Sequence, residues 1–215
     1  MEKEGFREEN REEIAAERAS TLDYYDQNAA GFYSTTADVQ FTQIQDWFLS
    51  YLEPDARILD FGCGSGRDSK YFLSKGYEVE ACDGSREMVR IASQTAGIPV
   101  RRMLFEELDE VKRYDGIFAC ASLLHVPYAQ LPAILAKIER ALKDDGTVYA
   151  SFKYGTFEGE RGGRYFTDMT GERFGECLAA AGGRLKVVQS RITGDVRPGR
   201  GSEKWLNVIL RKAPE

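Results

Sequence analysis

The segment Arg57 to Ser69, RILDFGCGSGRDS, decides the fold. A short apolar run, Ile58-Leu59, ends on an acid, Asp60. Glycines follow at every second position: Gly62, Gly64 and Gly66. From Arg67 to Lys75 the pattern reads as a helix. Strand, glycine turn and helix in that order bring backbone N–H groups and a positive helix end to the carboxyl edge of a parallel sheet, where open α/β sheets take ligands. Glycine suits this turn because a Cβ would hold a ligand off the backbone, and because such turns often need positive φ. Dinucleotide dehydrogenases space their glycines G-x-G-x-x-G. Here the run is D-x-G-x-G-x-G, tighter by one residue. The leading acid can accept hydrogen bonds from the turn or from an ammonium group.

Downstream, the βα alternation is regular. The pattern predicts strands at Tyr77 to Cys82, Val100 to Leu104, Gly116 to Ala121, Thr147 to Phe152, Leu185 to Ile192 and Lys204 to Leu210. Helices are expected at Ser85 to Thr95, Ala129 to Leu142 and Gly171 to Ala181, the last capped by Gly182-Gly183. Strands separated by helices make right-handed βαβ units. Only the connection Thr193 to Glu203 has no helix, so the last pair is expected antiparallel, a hairpin closing one edge. The fold class is α/β: a Rossmann-like, doubly wound, seven-stranded sheet, mostly parallel with an antiparallel last strand and helices on both faces.

Upstream, Met1 to Arg18 is dominated by Glu, Arg and Lys and reads as a solvated helix or a frayed tail. Thr21 to Thr36 crowds in Tyr24, Tyr25, Phe32 and Tyr33. Asp38 to Leu52 reads as an amphipathic helix ended by Pro54. Phe41, Trp47 and Phe48 are expected to pack that helix on the sheet. For Tyr24, Tyr25 and Tyr33, packing and a lid of rings over a cationic ligand are both open. The expected organisation is a charged tail or helix over 1–20, a helical lid over 21–55, and a ligand-binding core over 56–215.

With 215 residues and 42% hydrophobic content, the chain suits one domain with a real core. Its net charge of −6 argues against a general nucleic-acid binder, which would carry a basic stripe. Cys63, Cys82, Cys120 and Cys177 form no C-x-x-C pair, so buried thiols are expected rather than disulfides or a metal site. No apolar run approaches membrane-spanning length, and the N-terminus is charged rather than signal-like, so the expected location is cytoplasmic. Oligomeric state is open between monomer and homodimer.

Asp60-x-Gly62-x-Gly64-x-Gly66, the acid Asp83 closing the second strand, the strand-four segment and the seven-strand order together resemble the class I S-adenosylmethionine (SAM) dependent methyltransferases of the small, single-domain kind. GCGSGRDS with its short βα spacing resembles the tellurite-resistance-type and general small-molecule branch. The resemblance implies SAM as cofactor, S-adenosylhomocysteine as its product, and in-line methyl transfer to a small-molecule acceptor. It implies a cofactor site at Asp60, Gly62, Cys63, Gly64 and Gly66.

Asp83 sits where an acid can take both ribose hydroxyls, with Gly84 and Ser85 beside the sugar; capping the next helix is its alternative role. Met88 faces the adenine or the core. Many family members place an acid just after the third strand to read the adenine amino group. Leu104 fills that position here, a departure that leaves the base to apolar contact, to Phe105 and to Glu106. Small residues at the tip of strand four, Ala121 and Ser122, let the methionine part approach the backbone, and Tyr25 is a candidate to cover it, with packing its alternative. Arg67 is placed to pair with its carboxylate or else to be solvated. His125, the only histidine, is either a general base or a brace for its loop.

Lys153, Tyr154, Arg161, Arg164, Arg197 and Arg200 lie in loops leaving the same sheet edge. They suggest an acceptor with an anionic group; solvated loops are the alternative. Lys153, Tyr154, Arg164, Arg197 and Arg200 are the candidate acceptor residues. Two rival functions stay open: a non-catalytic SAM-binding sensor or partner subunit, and an NAD-dependent oxidoreductase, which the glycine spacing and Asp60 disfavour. The N/D-P-P-Y/F motif that holds a flipped base is absent, so no nucleic-acid partner is expected.

Overall fold

Side chains on successive residues of the first strand enter different cores. In β1 (Arg57–Phe61), Ile58 packs with Phe72, Phe118 and Tyr149, while Leu59 and Phe61 pack with Ile117, Leu135 and Phe152. That alternation, with all three side chains fully buried, marks a central strand covered on both faces. The structure is a computed structural model describing residues 2–197 and 199–214, with side chains from Arg18 onward.

The remaining strands are β2 (Glu78–Asp83), β3 (Val100–Arg102), β4 (Tyr114–Ala119), β5 (Leu142–Lys153), β6 (Glu158–Arg161), β7 (Arg164–Thr167), β8 (Leu185–Gly194) and β9 (Lys204–Lys212). Seven form one sheet in the order β3-β2-β1-β4-β5-β9-β8. β1 runs parallel to β2 and β4, β3 to β2, and β5 to β4. β9 alone is reversed, antiparallel to β5 and to β8. The last strand therefore lies inside the sheet and β8 forms the edge. The strand order switches direction between β1 and β4, which opens a crevice at their carboxyl ends.

The helices are α1 (Glu2–Thr36), α2 (Thr42–Leu49), α3 (Arg67–Ser74), α4 (Arg86–Ala96), α5 (Leu131–Ala141) and α6 (Gly171–Ala181). Ile44, Trp47 and Phe48 of α2 and Phe72 of α3 cover one face of the sheet. Ile134, Leu135 and Ile138 of α5 and Phe174 of α6 cover the other. Two caps set helix starts as serine and threonine do elsewhere: Ser85 Oγ accepts from Met88 N at 3.1 Å, and Thr170 Oγ1 from Arg173 N at 3.2 Å. Gly182 ends α6 in the left-handed conformation.

Two features differ from the sequence expectation. The glycine-rich stretch after β5, expected as loop, is the hairpin β6–β7, turned by Gly162 and Gly163 at φ 56° and 76°. The aromatic segment from Thr21 is not a separate unit but the end of α1. Of the expected solvated helix or frayed tail over Met1 to Arg18, the helix is present from Glu2, while its solvation falls almost wholly on side chains outside the described residues. The four cysteines are free thiols, three of them buried. Among the described residues no helix is long and apolar enough to cross a membrane.

Candidate active site

Two cavities open at the carboxyl edge. The first, about 190 Å³, is floored by the turn after β1 (Gly62 to Ser65 and Arg67), by Asp83-Gly84 at the end of β2, by Met103 to Glu106 after β3, and by Cys120 to Ser122 after β4. Its roof is α1, through Thr21, Leu22, Tyr25, Phe32 and Thr36. The second, about 130 Å³, lies beyond β4 and is bounded by Lys153 at the end of β5, Arg164 and Phe166 of β7, the loop Thr193 to Arg197 with Arg200, and Trp205 of β9. Tyr25, Phe32, Thr36, Cys120, Ala121 and His125 line both. The two spaces therefore share a wall.

The turn is built to bring backbone close. Gly62, Gly64 and Gly66 have φ of 81°, 53° and 78°, which side chains resist. A Cβ on Gly62 would stand 2.5 Å from Ser122 Cβ, and one on Gly84 would stand 2.8 Å from Leu22. Gly62 N and Cys63 N both donate to Cys82 O at 2.9 Å, tying the turn to β2. Asp83 Oδ2 accepts from Gly64 N and Oδ1 from Ser85 N, each at 2.9 Å. Desolvation raises the Asp83 pKa, and those backbone donors oppose the rise.

At the shared wall the hydrogen bonds have a fixed direction. His125 Nδ1 lies 2.6 Å from Tyr165 O, and a carbonyl only accepts, so Nδ1 carries the proton. Loss of water pushes the imidazole pKa down to about 4, and the nearby Arg164 charge lowers it further, against the pull of the Tyr165 carbonyl. The neutral ring thus offers a lone pair at Nε2, 2.9 Å from Tyr25 Oη. Tyr25 donates there and accepts from Arg164 Nη1 at 3.3 Å.

Residues 58–146 match a family described as a methyltransferase domain. An uncharacterized methyltransferase of Staphylococcus carnosus is 26% identical over 136 residues, 57% of this chain and 66% of that protein. A ubiquinone biosynthesis O-methyltransferase of Xanthomonas campestris is 30% identical over 105 residues, 46% of this chain and 43% of that protein. The chain thus spans less than two thirds of the length of these curated relatives. The Burkholderia thailandensis 1,6-didemethyltoxoflavin-N1-methyltransferase superposes with a TM-score of 0.76 at 25% identity, covering 93% of this chain and 90% of that one. Residues 58–146 thus carry a methyltransferase domain, and the chain has the Rossmann-like fold of SAM-dependent methyltransferases.

The first cavity gathers most of the residues expected from sequence. Gly62, Cys63, Gly64, Arg67, Asp83, Gly84, Phe105, Glu106, Ala121, Ser122, Tyr25 and His125 all line the first cavity. Asp60, Gly66, Ser85 and Met88 do not. Asp60 is buried under the turn, where its Oδ2 accepts from Ser69 Oγ at 2.6 Å and pins α3 to β1. Burial, then the charge of Asp68, hold its carboxyl well above the usual range. Gly66 packs against Ala92, Ser85 caps α4, and Met88 is core with Ala29 and Ile91.

Arg67 is engaged within the protein: its Nε and Nη2 bond both oxygens of Asp68 at 3.0 and 2.8 Å. Glu106 pairs with Arg18 of α1. Lys153, Arg164, Arg197 and Arg200 line the second cavity, whereas Tyr154 faces outward, 41% exposed. Arg161 turns away to Asp168. Phe41 packs against the α2 face of the sheet as expected and also lines the second cavity, and Tyr33 lines neither. Phe32, one of the crowded aromatics, and Leu22, which no sequence signal marks, also roof the site; they stand at i+7 and i−3 from Tyr25, on the same helix face.

The first cavity fits an adenosyl sulfonium. Its glycine floor is where added Cβ atoms would intrude. An acid stands at the end of β2, and Met103, Leu104, Phe105, Val126 and Ile134 supply apolar walls for a base.

Proposed function

We propose that this methyltransferase transfers a methyl group from SAM, held in the first cavity, to a small anionic acceptor held in the second. The observation that carries this reading is the shared wall: two cavities meet at Tyr25, Cys120, Ala121 and His125, so donor and acceptor can approach without solvent between them. When bound, SAM supplies an electrophilic methyl whose carbon–sulfur bonding pair leaves with sulfur.

The chain's own residues bind, orient and exclude water. Asp83 is the proposed partner of the ribose hydroxyls, since each of its oxygens keeps a further lone pair beyond one backbone donor. Gly62 to Gly64 receive the amino-acid part, and Leu104 and Phe105 the base. Thr21 to Thr36 of α1 acts as the lid over both cavities, and the rings of Tyr25 and Phe32, 5.3 Å apart and edge-on, favour a cation beneath them. The neutral imidazole of His125 has both nitrogens occupied, which supports bracing rather than direct proton abstraction.

An anionic acceptor is supported by Lys153, Arg164, Arg197 and Arg200 around one mouth in an acidic chain. A small-molecule acceptor is supported by the similar Burkholderia thailandensis enzyme, whose crystal structure holds 1,6-didemethyltoxoflavin and S-adenosylhomocysteine together.

Titration calorimetry tests the donor half. SAM and S-adenosylhomocysteine are both expected to release heat on binding, and Asp83→Ala is expected to abolish it; no heat with either ligand overturns the reading. Transfer of label from methyl-labelled SAM to small carboxylates and acidic heterocycles tests the acceptor half. Donor binding with no transfer to any of them favours the sensor alternative.

A further inference from the structure

The cations at the second cavity are not equivalent. Lys153 is paired with Glu203, and Arg200 stands 3.7 Å from the same carboxylate. Arg197 is held by Asp195, its Nε 2.9 Å from Oδ1. Arg164 differs. Among the described residues no carboxylate pairs with it, its buried Nε has no hydrogen-bond acceptor, and its single hydrogen bond goes to Tyr25. Its guanidinium is held over ring faces, 4.4 Å from the Tyr24 centroid and 5.0 Å from that of Phe166. A half-buried guanidinium lacking an anion, with one donor left without an acceptor, is costly and calls for a partner supplied from outside the chain.

Beside it, Tyr25 has a determined polarity. The Tyr165 carbonyl fixes the proton on His125 Nδ1, so Nε2 takes the Tyr25 proton. The phenol oxygen then has no proton left to give the cavity. One lone pair takes Arg164 Nη1, and the other is available. At the wall between the two cavities, Tyr25 can only accept and Arg164 can only donate.

Resting on the reading above, we propose that the acceptor is recognised through a donor–acceptor edge. It gives an N–H or O–H to Tyr25 Oη and, on the adjacent position, presents an anionic oxygen to Arg164. An acidic heterocycle with ring N–H beside ring oxygen has this edge. A plain carboxylate without a neighbouring donor does not, because its oxygen would face the Tyr25 lone pair. The rings of Phe32, Phe41, Phe166 and Trp205 around the space favour a planar skeleton.

The test uses the protein saturated with S-adenosylhomocysteine and two probes, barbiturate and 1,3-dimethylbarbiturate. Both are ring anions at neutral pH, and only the first keeps N–H beside the anionic oxygen. Barbiturate is expected to bind at least tenfold tighter. Tyr25→Phe is expected to bring the two within twofold of each other while S-adenosylhomocysteine still binds. Arg164→Met is expected to weaken both probes and leave their ratio. A wild-type ratio near one, failure of both probes to bind, or a tenfold ratio that survives Tyr25→Phe overturns the edge. Failure of S-adenosylhomocysteine itself to bind the wild-type protein overturns the donor reading instead, so the two failures are distinct.

Discussion

His125 Nε2 and Tyr25 Oη, 2.9 Å apart, join the turn after β4 to the last part of α1. The bond works only while the imidazole is neutral. A protonated ring would confront Tyr25 with a second donor and would stand near the Arg164 charge.

That constraint has a pH signature. The folded imidazole titrates near 4 and the unfolded one near 6.5, so below 6.5 the unfolded chain takes up a proton that the folded chain refuses. The stability due to the neutral ring is complete above pH 6.5 and drains away as pH falls toward 4. Linkage places the loss at about 2 kcal/mol by pH 5. No other histidine contributes, because the chain has one. Urea unfolding at pH 7.5 and 5.0 is expected to give wild-type protein a pH loss larger by that amount than His125→Gln shows. Equal losses would mean that the ring is not held neutral.

Asp83 joins the cofactor turn to the α4 turn through one backbone donor on each oxygen. Asp83→Asn replaces one of those acceptors with a donor facing an N–H. Affinity for S-adenosylhomocysteine is expected to fall by at least tenfold, roughly 1.4 kcal/mol or more, with about 1 kcal/mol lost from folding. Calorimetry beside urea denaturation separates the two. Unchanged affinity would remove Asp83 from the proposed site.

Two glycines with similar backbones isolate the cost of close approach. Gly66 and Gly76 have φ of 78° and 90°. A Cβ on Gly66 would lie 2.9 Å from the Ala92 backbone, whereas one on Gly76 meets nothing within 4 Å. Gly76→Ala is expected to cost only the left-handed conformation, about 1 kcal/mol. Gly66→Ala must also push α4 off the turn, and about 3 kcal/mol or more is expected. Equal midpoints in urea would deny that α3 and α4 are locked together there.

The residues that form sheet and turn were readable because their signals are local. The Ile58-Leu59 run, the alternate glycines and the acid ending β2 each act within a few positions, and α6 carries its own start and stop in Thr170 and Gly182. Sequence shows an acid at the end of β1 but not that Ser69, nine residues on in α3, takes the Asp60 carboxylate inward. Gly162-Gly163 is a turn signal, yet the β6–β7 hairpin is faint in sequence because its flanks run for only four residues each. In sequence alone the basic loops make one positive mouth. Their carboxylates, Asp168, Asp195 and Glu203, sit in neighbouring stretches, and only three-dimensional pairing reveals that, among the described residues, Arg164 has no carboxylate partner.

The segment Thr21 to Thr36 of α1, the proposed lid, is fastened mainly by polar bonds, which makes it separable from the sheet. Thr21 Oγ1 accepts from Tyr165 N at 2.9 Å. Asp26 Oδ1 accepts from Ser85 Oγ at 2.5 Å and from Glu87 N at 3.2 Å, a carboxylate set at the positive end of α4. Of the apolar side chains in this stretch only Ala29 is fully covered, against Met88 and Ile91. Helices held this way open well below the global unfolding free energy. Asp26→Ala leaves Ser85 free to go on capping α4 through Met88 N. Amide exchange in Thr21 to Thr36 is therefore expected to speed up at least tenfold, while exchange in β1 and β4 stays within twofold of wild type. S-adenosylhomocysteine should restore much of the protection, since ligand seated under the roof holds it down. A uniform rise across the sheet would mean that α1 and the core open as one unit and that no independent lid exists.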